Sequence, residues 1–242
     1  MIAYMHPDEV AGQFCDNLAD LCLHDGGPRG RKRILQRASI AIGPRPAEGR
    51  NSLMHMFRAC VGAKWIWMID ADMSFTDDLM YRMVDVAESD PNIHILGALC
   101  FSGGRDPIPS PVMYSEPSPG TFARVNVYPE GRCKVAAIGA ACMLISREAA
   151  EDIYRKNQER AHPWFEEMTR GKDQYGEDIG FSIRAREAGY DLIVDTTIEV
   201  GHMKMAPLHS GLYKILRDLP PHEKLEYERS FRHAMGDKSA RQ

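Results

Sequence analysis

The chain has 242 residues, of which 44% are hydrophobic, and this length and composition suit one large α/β domain with a buried core. The formal net charge of −4 argues against nucleic-acid binding driven by net charge alone. No segment approaches the roughly 18 consecutive apolar residues that a membrane span needs, and the N-terminus lacks the pattern of a signal peptide. We therefore expect a cytoplasmic protein without membrane insertion.

Strands and helices alternate over the first hundred residues. The apolar pattern predicts, in chain order, a strand at 2–5, a helix opened by Pro7, a strand at 34–42, a helix at about 47–60, a strand at 65–69, a helix capped by Thr76 that runs to about 88, and a strand at 93–99. Such alternation is typical of a mostly parallel sheet with helices on both faces, so we expect an α/β fold.

The second half of the chain is less regular. Two long segments, 102–120 and 158–176, are predicted as loops, and loops of that length in compact domains are usually functional or mobile. The elements predicted around them are strands at 121–128, 133–138 and 142–146, a helix at 147–157, a helix from about 177, strands near 192–195 and 198–202, and a charged helical tail.

Two carboxylates, Asp70 and Asp72, follow the apolar strand at 65–69 and are separated by one residue. In open α/β sheets the ligand crevice lies outside the carboxyl ends of the strands, so both carboxylates can point at one cation there. Oxygen ligands suit Mg²⁺ or Mn²⁺, which usually hold substrate phosphates as well. The alternative is a polar turn that caps the next helix. The near-continuous apolar strand before the pair favours the functional interpretation.

Three other features point to the same edge of the sheet. Arg50 and Asn51 lie in the helix before that strand, where they could reach a nucleotide or hold the carboxylate turn. Glu177 and Asp178 begin a helix after a loop, although carboxylates in a first turn commonly serve only to stabilise the helix. His202 ends an apolar strand. A lone histidine there is more often structural, yet imidazole is the usual partner of carboxylates around a metal.

Taken in order, these residues resemble the GT-A glycosyltransferases, with family 2-type enzymes of bacteria and phages as the nearest likeness. The motifs that carry the resemblance lie within roughly residues 2–203 and are Arg50-Asn51, Trp67–Met73, Gly139–Ile145, Trp164-Phe165, Gly176–Ile179, Ala188-Gly189 and Gly201-His202. The resemblance implies a single GT-A, Rossmann-like domain at 1–203 with a mostly parallel central sheet. A helical C-terminal extension at 204–242 is expected to pack on this domain.

The resemblance also implies roles for single residues in transfer from a nucleotide-sugar. Asp72 matches the carboxylate that holds Mn²⁺ or Mg²⁺ on the donor diphosphate, Asp70 lies near the ribose and the metal, and His202 matches the histidine that often completes the metal site. Asp178, with Glu177 beside it, matches the base of inverting members. Such a base takes the proton of the acceptor hydroxyl, and the cation stabilises the leaving diphosphate.

The donor implied by the resemblance is a UDP-sugar, although the short first strand leaves the identity of the nucleotide open. Arg50 and Asn51 are expected donor contacts, and His6 stands where the family often has a donor-contacting segment. Trp164 and Phe165 could form an aromatic platform for the acceptor, with packing in the core as the alternative.

The acceptor is left open among a glycan, a protein, a small molecule and a hydroxymethylated base of phage DNA. The DNA interpretation rests on the basic cluster Arg29–Arg33 and on Lys172, Arg184 and Arg186 near the expected site. A base flipped out of the stack would suit a stacking aromatic. For the cluster, a solvated loop is the alternative.

Two other classes of function share parts of the pattern. Haloacid-dehalogenase-like phosphatases also have a D-x-D after an apolar strand, but they need a further acidic residue where Ser182 stands, and their nucleophile strand is normally the first of the domain. A non-catalytic sugar-binding module is the other alternative, against which the set Asp70, Asp72, Asp178 and His202 speaks.

Overall fold

The computed structural model describes residues 1–28, 30–41, 45–103, 109–170, 173–204 and 210–234. The helices of these ranges are α1 (Gly12–Gly26), α2 (Pro46–Ala59), α3 (Leu79–Glu88), α4 (Arg147–Asn157), α5 (Glu177–Ala188), α6 (Ser210–Asp218) and α7 (Pro221–Ala234). The strands are β1 (Ile2–His6), β2 (Arg37–Ala41), β3 (Trp65–Asp70), β4 (Met73–Ser74), β5 (Ile95–Leu99), β6 (Phe101–Ser102), β7 (Ser110–Pro111), β8 (Met113–Ser118), β9 (Thr121–Arg124), β10 (Arg132–Val135), β11 (Ala137–Ile138), β12 (Cys142–Ser146), β13 (Met168–Arg170), β14 (Asp173–Tyr175), β15 (Leu192–Glu199) and β16 (Gly201–His202).

The central sheet has seven strands in the order β10-β15-β5-β12-β3-β1-β2. Strands β2, β1, β3, β5 and β15 run in one direction, whereas β12 and β10 run against them. The predicted α/β fold with a mostly parallel sheet is therefore confirmed. The reversed strand β12 lies between β3 and β5, so it separates the parallel pair of β15 and β5 from the parallel set of β3, β1 and β2.

Strand β3 shows why the sheet is covered on both faces. Ile66 and Met68 belong to a cluster of buried residues with side chains of α2, α4 and α5. Trp67 and Ile69 belong to a second cluster with side chains of α1 and α3. Because successive side chains of a strand point to opposite faces, a continuous apolar run is the pattern that a strand between two helical layers requires. Each buried side chain of this size contributes about 1.5–3 kcal/mol relative to its exposed state.

Local signals fix several helix ends. The side chain of Ser146 caps α4 by accepting a hydrogen bond from the backbone N–H of Ala149, at 3.1 Å. Pro46 stands in the first turn of α2, where its missing N–H costs nothing. Helix α5 ends at Gly189, whose φ of 98° is left-handed and favours glycine. The predicted bounds of α4 agree with the observed ones, those of α2 differ by one residue at each end, and the predicted start of α5 is also observed.

Other predicted bounds are wrong. Helix α1 begins at Gly12, without a side-chain cap, and not at Pro7. Helix α3 begins at Leu79, and the Thr76 hydroxyl bonds the Asp78 carboxylate, so it does not cap the helix. Strands occur within both segments predicted as loops, namely β7 and β8 in the first and β13 and β14 in the second. Strand β7 pairs with β6, β8 pairs with β9 and β11, and β13 and β14 form a hairpin within the second segment. The Gly-, Pro- and Ser-rich composition of the first segment did not indicate its pairings.

Helices α6 and α7 follow the central domain. Within α7 every described side chain except Lys224 is exposed, and packing of the C-terminal extension on the domain stays a prediction. Among the helices of the described ranges, none combines the length and the apolarity that crossing a bilayer requires.

Candidate functional site

A crevice opens at the carboxyl end of β3. Met5 of β1 pairs with Asp70, the last residue of β3, and a cavity of about 280 Å³ extends from this edge. Its walls are formed by side chains that follow β1, by the start of α2 and by the turn after β3: Met5, Pro7, Glu9, Ala11, Pro46, Arg50, Asp70, Ala71 and Asp72. The crevice therefore lies where an open α/β sheet places its ligands.

Arg50 connects three elements around this crevice. Its Nη2 donates to Asp70 Oδ1 at 3.1 Å and to Asp70 Oδ2 at 3.3 Å, and its Nε donates to Glu177 Oε1 at 3.2 Å. Its Nη1 also donates to the carbonyl oxygen of Ala140 at 3.3 Å. With only 8% of its side chain exposed, this guanidinium pairs with two carboxylates that come from β3 and α5. Arg50 thus holds the predicted carboxylate turn, one of the two roles that the sequence suggested for it.

The two carboxylates of the D-x-D pair differ in their pKa. Burial raises the pKa of Asp70 above its usual value, the charge of Arg50 opposes this effect, and the nearby charge of Asp72 adds to it. Burial also acts to raise the pKa of Asp72, but hydrogen bonds from His202 and Lys204 outweigh it and hold this pKa at about 2. Asp72 is therefore the more acidic of the two carboxyl groups, and 40% of its side chain is exposed.

His202 lies next to Asp72 because β16 pairs with β4. Met73 is opposite His202 in this small antiparallel pair, and the backbone N–H of Met203 donates to the carbonyl oxygen of Asp72 at 2.8 Å. His202 Nδ1 lies 2.8 Å from the carbonyl oxygen of Phe101, and Nε2 lies 3.1 Å from Asp72 Oδ2. Since a carbonyl oxygen only accepts, Nδ1 carries a proton. Nε2 faces a carboxylate oxygen, which also only accepts, so this contact needs a proton on Nε2 as well, and a cation bound between the two groups would take the place of that proton.

Asp72 and His202 fit a divalent cation. Their facing atoms are 3.1 Å apart, close to the separation of about 3 Å between adjacent ligands of an octahedral ion bound at 2.0–2.1 Å. The Lys204 ammonium lies 2.5 Å from the same Asp72 oxygen, so this position already attracts a positive charge. Asp70 differs, since both of its oxygens contact Arg50. Across the described residues, no three His, Cys, Asp or Glu side chains form a complete protein metal site, so phosphate and water oxygens would have to supply further ligands.

Asp178 stands at the start of α5, next to Glu177. The backbone N–H of Ile179 donates to Asp178 Oδ1 at 2.7 Å. Burial raises the pKa of Asp178, the charge of Glu177 raises it further, and the Ile179 hydrogen bond and Arg50 oppose the rise. A carboxylate with a raised pKa binds a proton more readily at neutral pH, as a general base must. Glu177 differs in that its carboxylate is paired with Arg50.

The structure adds residues that sequence reasoning missed. Lys204 contacts Asp72, as described above. Burial raises the pKa of Tyr114 in β8, and the negative charge of Asp178 raises it further, which indicates that the two side chains lie near each other. Tyr114, Phe122 and Tyr175 all pack against the same small apolar cluster, and the ring centroids of Phe122 and Tyr175 are 5.3 Å apart. The spacing of Lys204 two residues after His202 was a usable signal, whereas Tyr114 lay in a segment predicted as a loop.

Asn51 and the pair Trp164 and Phe165 serve the core. Asn51 Nδ2 donates to the carbonyl oxygens of Ala47 and Phe165, both at 2.7 Å, and Oδ1 accepts from the backbone N–H groups of Trp164 and Phe165, at 3.0 and 3.4 Å. The amide therefore uses all four of its hydrogen bonds within the protein and has none left for a nucleotide-sugar. Trp164 and Phe165 are both 0% exposed, so the core alternative holds for them in place of an acceptor platform.

His6 ends β1 beside the crevice. Its Nδ1 lies 2.8 Å from the carbonyl oxygen of Pro7, and its ring is partly exposed. Pro7 itself lines the cavity. A donor contact by His6 therefore stays a prediction.

The basic residues that suggested a DNA acceptor are engaged elsewhere. Arg184 is 1% exposed and its guanidinium bonds Glu166 and the carbonyl oxygen of His162. Arg186 pairs with Glu116 at 2.7 Å. Arg31 and Arg33 pair with Asp85 and Glu88 of α3, and Arg33 lies at the amino-terminal edge of the sheet, opposite the crevice. Arg29 and Lys172, which belonged to the same prediction, lie outside the described residues.

The described part of the chain also has a larger cavity, of about 780 Å³, at that opposite edge. Trp65 and Ile93, at the amino ends of two strands, contribute to its wall together with charged side chains of both signs. One of these, Arg147, directs its guanidinium at main-chain carbonyl oxygens of 57–63 and so serves the fold. We place the functional site at the smaller crevice, because ligands of α/β sheets bind at the carboxyl ends of the strands.

Comparisons with known proteins bear on the fold. No family model and no curated protein matches the sequence. The structure is similar to that of A197 from STIV, with a TM-score of 0.54 and 14% identity over 84% of this chain and 86% of that one.

Two more distant structures have TM-scores below 0.5 and decide nothing about this chain. A glycosyltransferase involved in the glycosylation of the major capsid of PBCV-1 has a TM-score of 0.35 and 13% identity over 66% of each chain. UDP-glucose pyrophosphorylase complexed with UDP-glucose has a TM-score of 0.38 and 10% identity over 66% of this chain and 57% of that one. The likeness to A197 shows the fold, an α/β domain built on a mostly parallel central sheet.

Proposed function

We propose that this chain is a metal-dependent glycosyltransferase that moves a sugar from a UDP-sugar donor to an acceptor hydroxyl with inversion. One observation carries the proposal. Residues that lie far apart in the sequence meet at the carboxyl edge of the sheet in two linked groups, Asp72 with His202 and Arg50 with Asp70 and Glu177, and Asp178 adjoins the second group. The resemblance of the sequence to GT-A enzymes, which identified most of these residues, supports the same reaction.

The first group suits the donor diphosphate. Asp72 and His202 would hold a Mn²⁺ or Mg²⁺ ion, which when bound stabilises the charge that develops on the leaving diphosphate. Arg50 keeps Asp70 fixed beside this position and ties it to Glu177 of α5. The nucleoside would then lie along β1, with His6 and Pro7 at its side.

Asp178, which adjoins the second group, suits proton removal. The acceptor oxygen attacks C1 of the sugar, the bond between C1 and the diphosphate oxygen breaks, and its electron pair stays on the diphosphate. The hydroxyl proton passes to the Asp178 carboxylate, whose raised pKa favours accepting it. The partly buried aromatic side chains of Tyr114, Phe122 and Tyr175 replace Trp164 and Phe165 as the surface on which an acceptor could rest.

The phosphatase alternative finds no support in the geometry. A nucleophilic Asp70 would need a free carboxylate, but both of its oxygens contact Arg50. Ser182, at the position where those enzymes need an acidic residue, donates to the carbonyl oxygen of Asp178 at 2.8 Å and accepts from the backbone N–H of Ile138 at 3.2 Å. Its hydroxyl therefore holds α5 against β11.

Donor hydrolysis tests the proposal without knowledge of the acceptor, because water can replace the hydroxyl. The wild-type protein is incubated with a panel of nucleotide-sugars and Mn²⁺ or Mg²⁺, and UDP binding is measured by calorimetry. We expect slow, metal-dependent hydrolysis of at least one UDP-sugar. Asp72→Asn should lose UDP binding, whereas Asp178→Asn should bind UDP normally and lose hydrolysis by a factor of about 10²–10⁴. Asp191→Asn, an exposed carboxylate at the opposite edge, is the matched control.

The outcomes separate the parts of the proposal. A wild-type protein that neither binds a nucleotide diphosphate nor hydrolyses any donor would refute it, and release of phosphate from a phosphomonoester would favour the phosphatase. If Asp178→Asn keeps more than about a third of the wild-type rate, far from the loss expected of a general base, Asp178 is not the base and Glu177 is the next residue to test.

A further inference from the structure

Lys204 is a charged residue beside the crevice, in contact with Asp72, that neither the sequence motifs nor the proposed reaction uses. Its Nζ lies 2.5 Å from Asp72 Oδ2, and 46% of its side chain is exposed. His202 Nε2 faces the same oxygen at 3.1 Å. One carboxylate oxygen therefore has two nitrogen neighbours, although Asp72 is the residue proposed to bind a divalent cation.

The backbone explains why the ammonium reaches this oxygen. The Met203 N–H donates to the Asp72 carbonyl at 2.8 Å and so fixes the residue between His202 and Lys204 against the turn. Residues two apart in an extended segment point to the same side, so His202 and Lys204 approach Asp72 together. The contact follows from the pairing of β16 with β4.

A divalent cation and an ammonium compete for one oxygen, because both carry positive charge and both need its lone pairs. The lysine is the partner that can leave, since its four-carbon stem is flexible and its head is exposed. A displaced ammonium next to a bound diphosphate would meet phosphate oxygens, for which lysine is a suitable point charge. Arg50 cannot play this part, because Asp70 and Glu177 already engage its guanidinium.

We propose that Lys204 competes with the divalent cation for Asp72 and, once displaced, binds the donor diphosphate. The inference rests on the proposed function and adds a coupling to it. Lys204 weakens binding of the cation alone and strengthens binding of the nucleotide in the presence of the cation. The cation and the nucleotide therefore favour each other's binding beyond their direct contact.

Two binding measurements on the full chain test this coupling. The first is the Kd of Mn²⁺ alone, from the free Mn²⁺ signal in electron paramagnetic resonance. The second is the Kd of UDP at saturating Mn²⁺, from calorimetry. Lys204→Gln keeps most of the stem and removes the charge, and Lys204→Ala removes both. Lys64→Gln removes an equal charge from an exposed lysine at the opposite edge, and so controls for net charge.

The two constants should change in opposite directions. In both Lys204 variants we expect Mn²⁺ to bind about threefold to fivefold more tightly, on the scale of one partly exposed ion pair. UDP should bind about tenfold more weakly at saturating Mn²⁺, the scale of a lost charge-assisted hydrogen bond. Lys64→Gln should leave both constants close to those of the wild type.

The results distinguish this inference from the proposal on which it rests. If the wild type binds Mn²⁺ and UDP but the Lys204 variants behave like Lys64→Gln, or lose affinity for both ligands, the competition by Lys204 is refuted and the proposed function stands. If the wild type binds neither ligand, both are refuted. Thermal unfolding of each variant shows whether a lost affinity reflects a lost fold.

Discussion

Asp178 illustrates how a residue suited to chemistry costs the fold stability. Burial raises its pKa, and a raised pKa in the folded state gives stability that is present at low pH and lost as the pH rises through that pKa. At neutral pH the ionised carboxylate is therefore unfavourable in the folded protein. Its hydrogen bond from the Ile179 N–H offsets part of this cost.

Asp178→Asn should accordingly raise the melting temperature at pH 7.5. The amide oxygen can keep the Ile179 hydrogen bond, and the buried charge is removed. For a chain of this size, a gain of about 1 kcal/mol corresponds to roughly 2–4 °C. Thermal unfolding at pH 7.5 and at pH 4 measures the effect, which should shrink at the lower pH because a larger fraction of the wild-type carboxyl is then protonated. A lower melting temperature at pH 7.5 would contradict the prediction.

The carboxyl groups of Asp70 and Asp72 lie in environments that shift their pKa values in opposite directions. Asp70 and Asp72 are separated by one residue, yet the pKa of the first is raised and that of the second is lowered to about 2. The lowered pKa of Asp72 gives stability that is present above the ordinary aspartate range and lost as the pH falls toward about 2. Carboxylates whose pKa values are driven apart can take different roles. The lowered pKa of Asp72 agrees with its proposed role as cation ligand, and the raised pKa of Asp178 agrees with its proposed role as base.

At the scale of elements, helix α2 serves two regions with adjacent residues. Arg50 points to the crevice, and Asn51 holds the backbone of Trp164 and Phe165 after α4. The segment at 164–165 begins no regular element, so its backbone groups depend on this amide. The helix therefore orders the candidate site and, through Asn51, the buried aromatic side chains behind it.

Asn51→Ala should destabilise the protein by about 2–4 kcal/mol, since buried N–H and C=O groups of Trp164 and Phe165 lose their partner. Chemical denaturation followed by tryptophan fluorescence measures the free energy of unfolding. Ser52→Ala, the next residue of the same helix and exposed, should change it by less than about 0.5 kcal/mol. Equal effects of the two substitutions would show that the amide bridge contributes little.

The small antiparallel pair of β4 and β16 also positions a residue of the candidate site. It consists of two residues on each side, yet it brings His202 next to Asp72 across 130 positions of the sequence. The bond from His202 Nδ1 to Phe101 then sets the orientation of the ring. Four paired residues are therefore enough to place His202 beside Asp72 at the edge of the sheet.

At the scale of the whole molecule, ligand binding should stabilise the fold. A ligand present at 100 times its Kd adds about 2.7 kcal/mol to the stability of the folded state, which corresponds to roughly 5–10 °C for a chain of this size. We expect UDP with Mn²⁺ to raise the melting temperature by this amount in the wild type, and a chelator to abolish the rise.

Asp72→Asn should melt at the same temperature with and without UDP and Mn²⁺, because the cation loses its carboxylate. Asp191→Asn, at the opposite edge of the sheet, should respond as the wild type does. An undiminished rise in the presence of the chelator would show that the nucleotide binds without the cation, and a full rise in Asp72→Asn would place the cation elsewhere.

The sequence by itself determined the α/β class, the buried strand β3 and the position of Asp70 and Asp72 at its carboxyl end. These are local properties: an unbroken apolar run predicts a strand covered on both faces, and the end of the run is the end of the strand. The placement of Glu177 and Asp178 at the start of α5 was also predicted locally, from a helix that begins after a loop. The bounds of α4, whose first turn is capped by Ser146, also agree with the predicted 147–157.

Only the tertiary structure decided how these residues are used. Asn51, Trp164 and Phe165 carry side chains that suit a ligand site, but their burial depends on contacts between α2 and a segment more than a hundred positions away. The pairing of β8 with β11, and that of the reversed β12 with β3, depend likewise on partners distant in sequence. The contact of Lys204 with Asp72 spans 132 positions. Local periodicity reports which face of an element is buried, whereas the partner of a polar side chain is set by packing between elements.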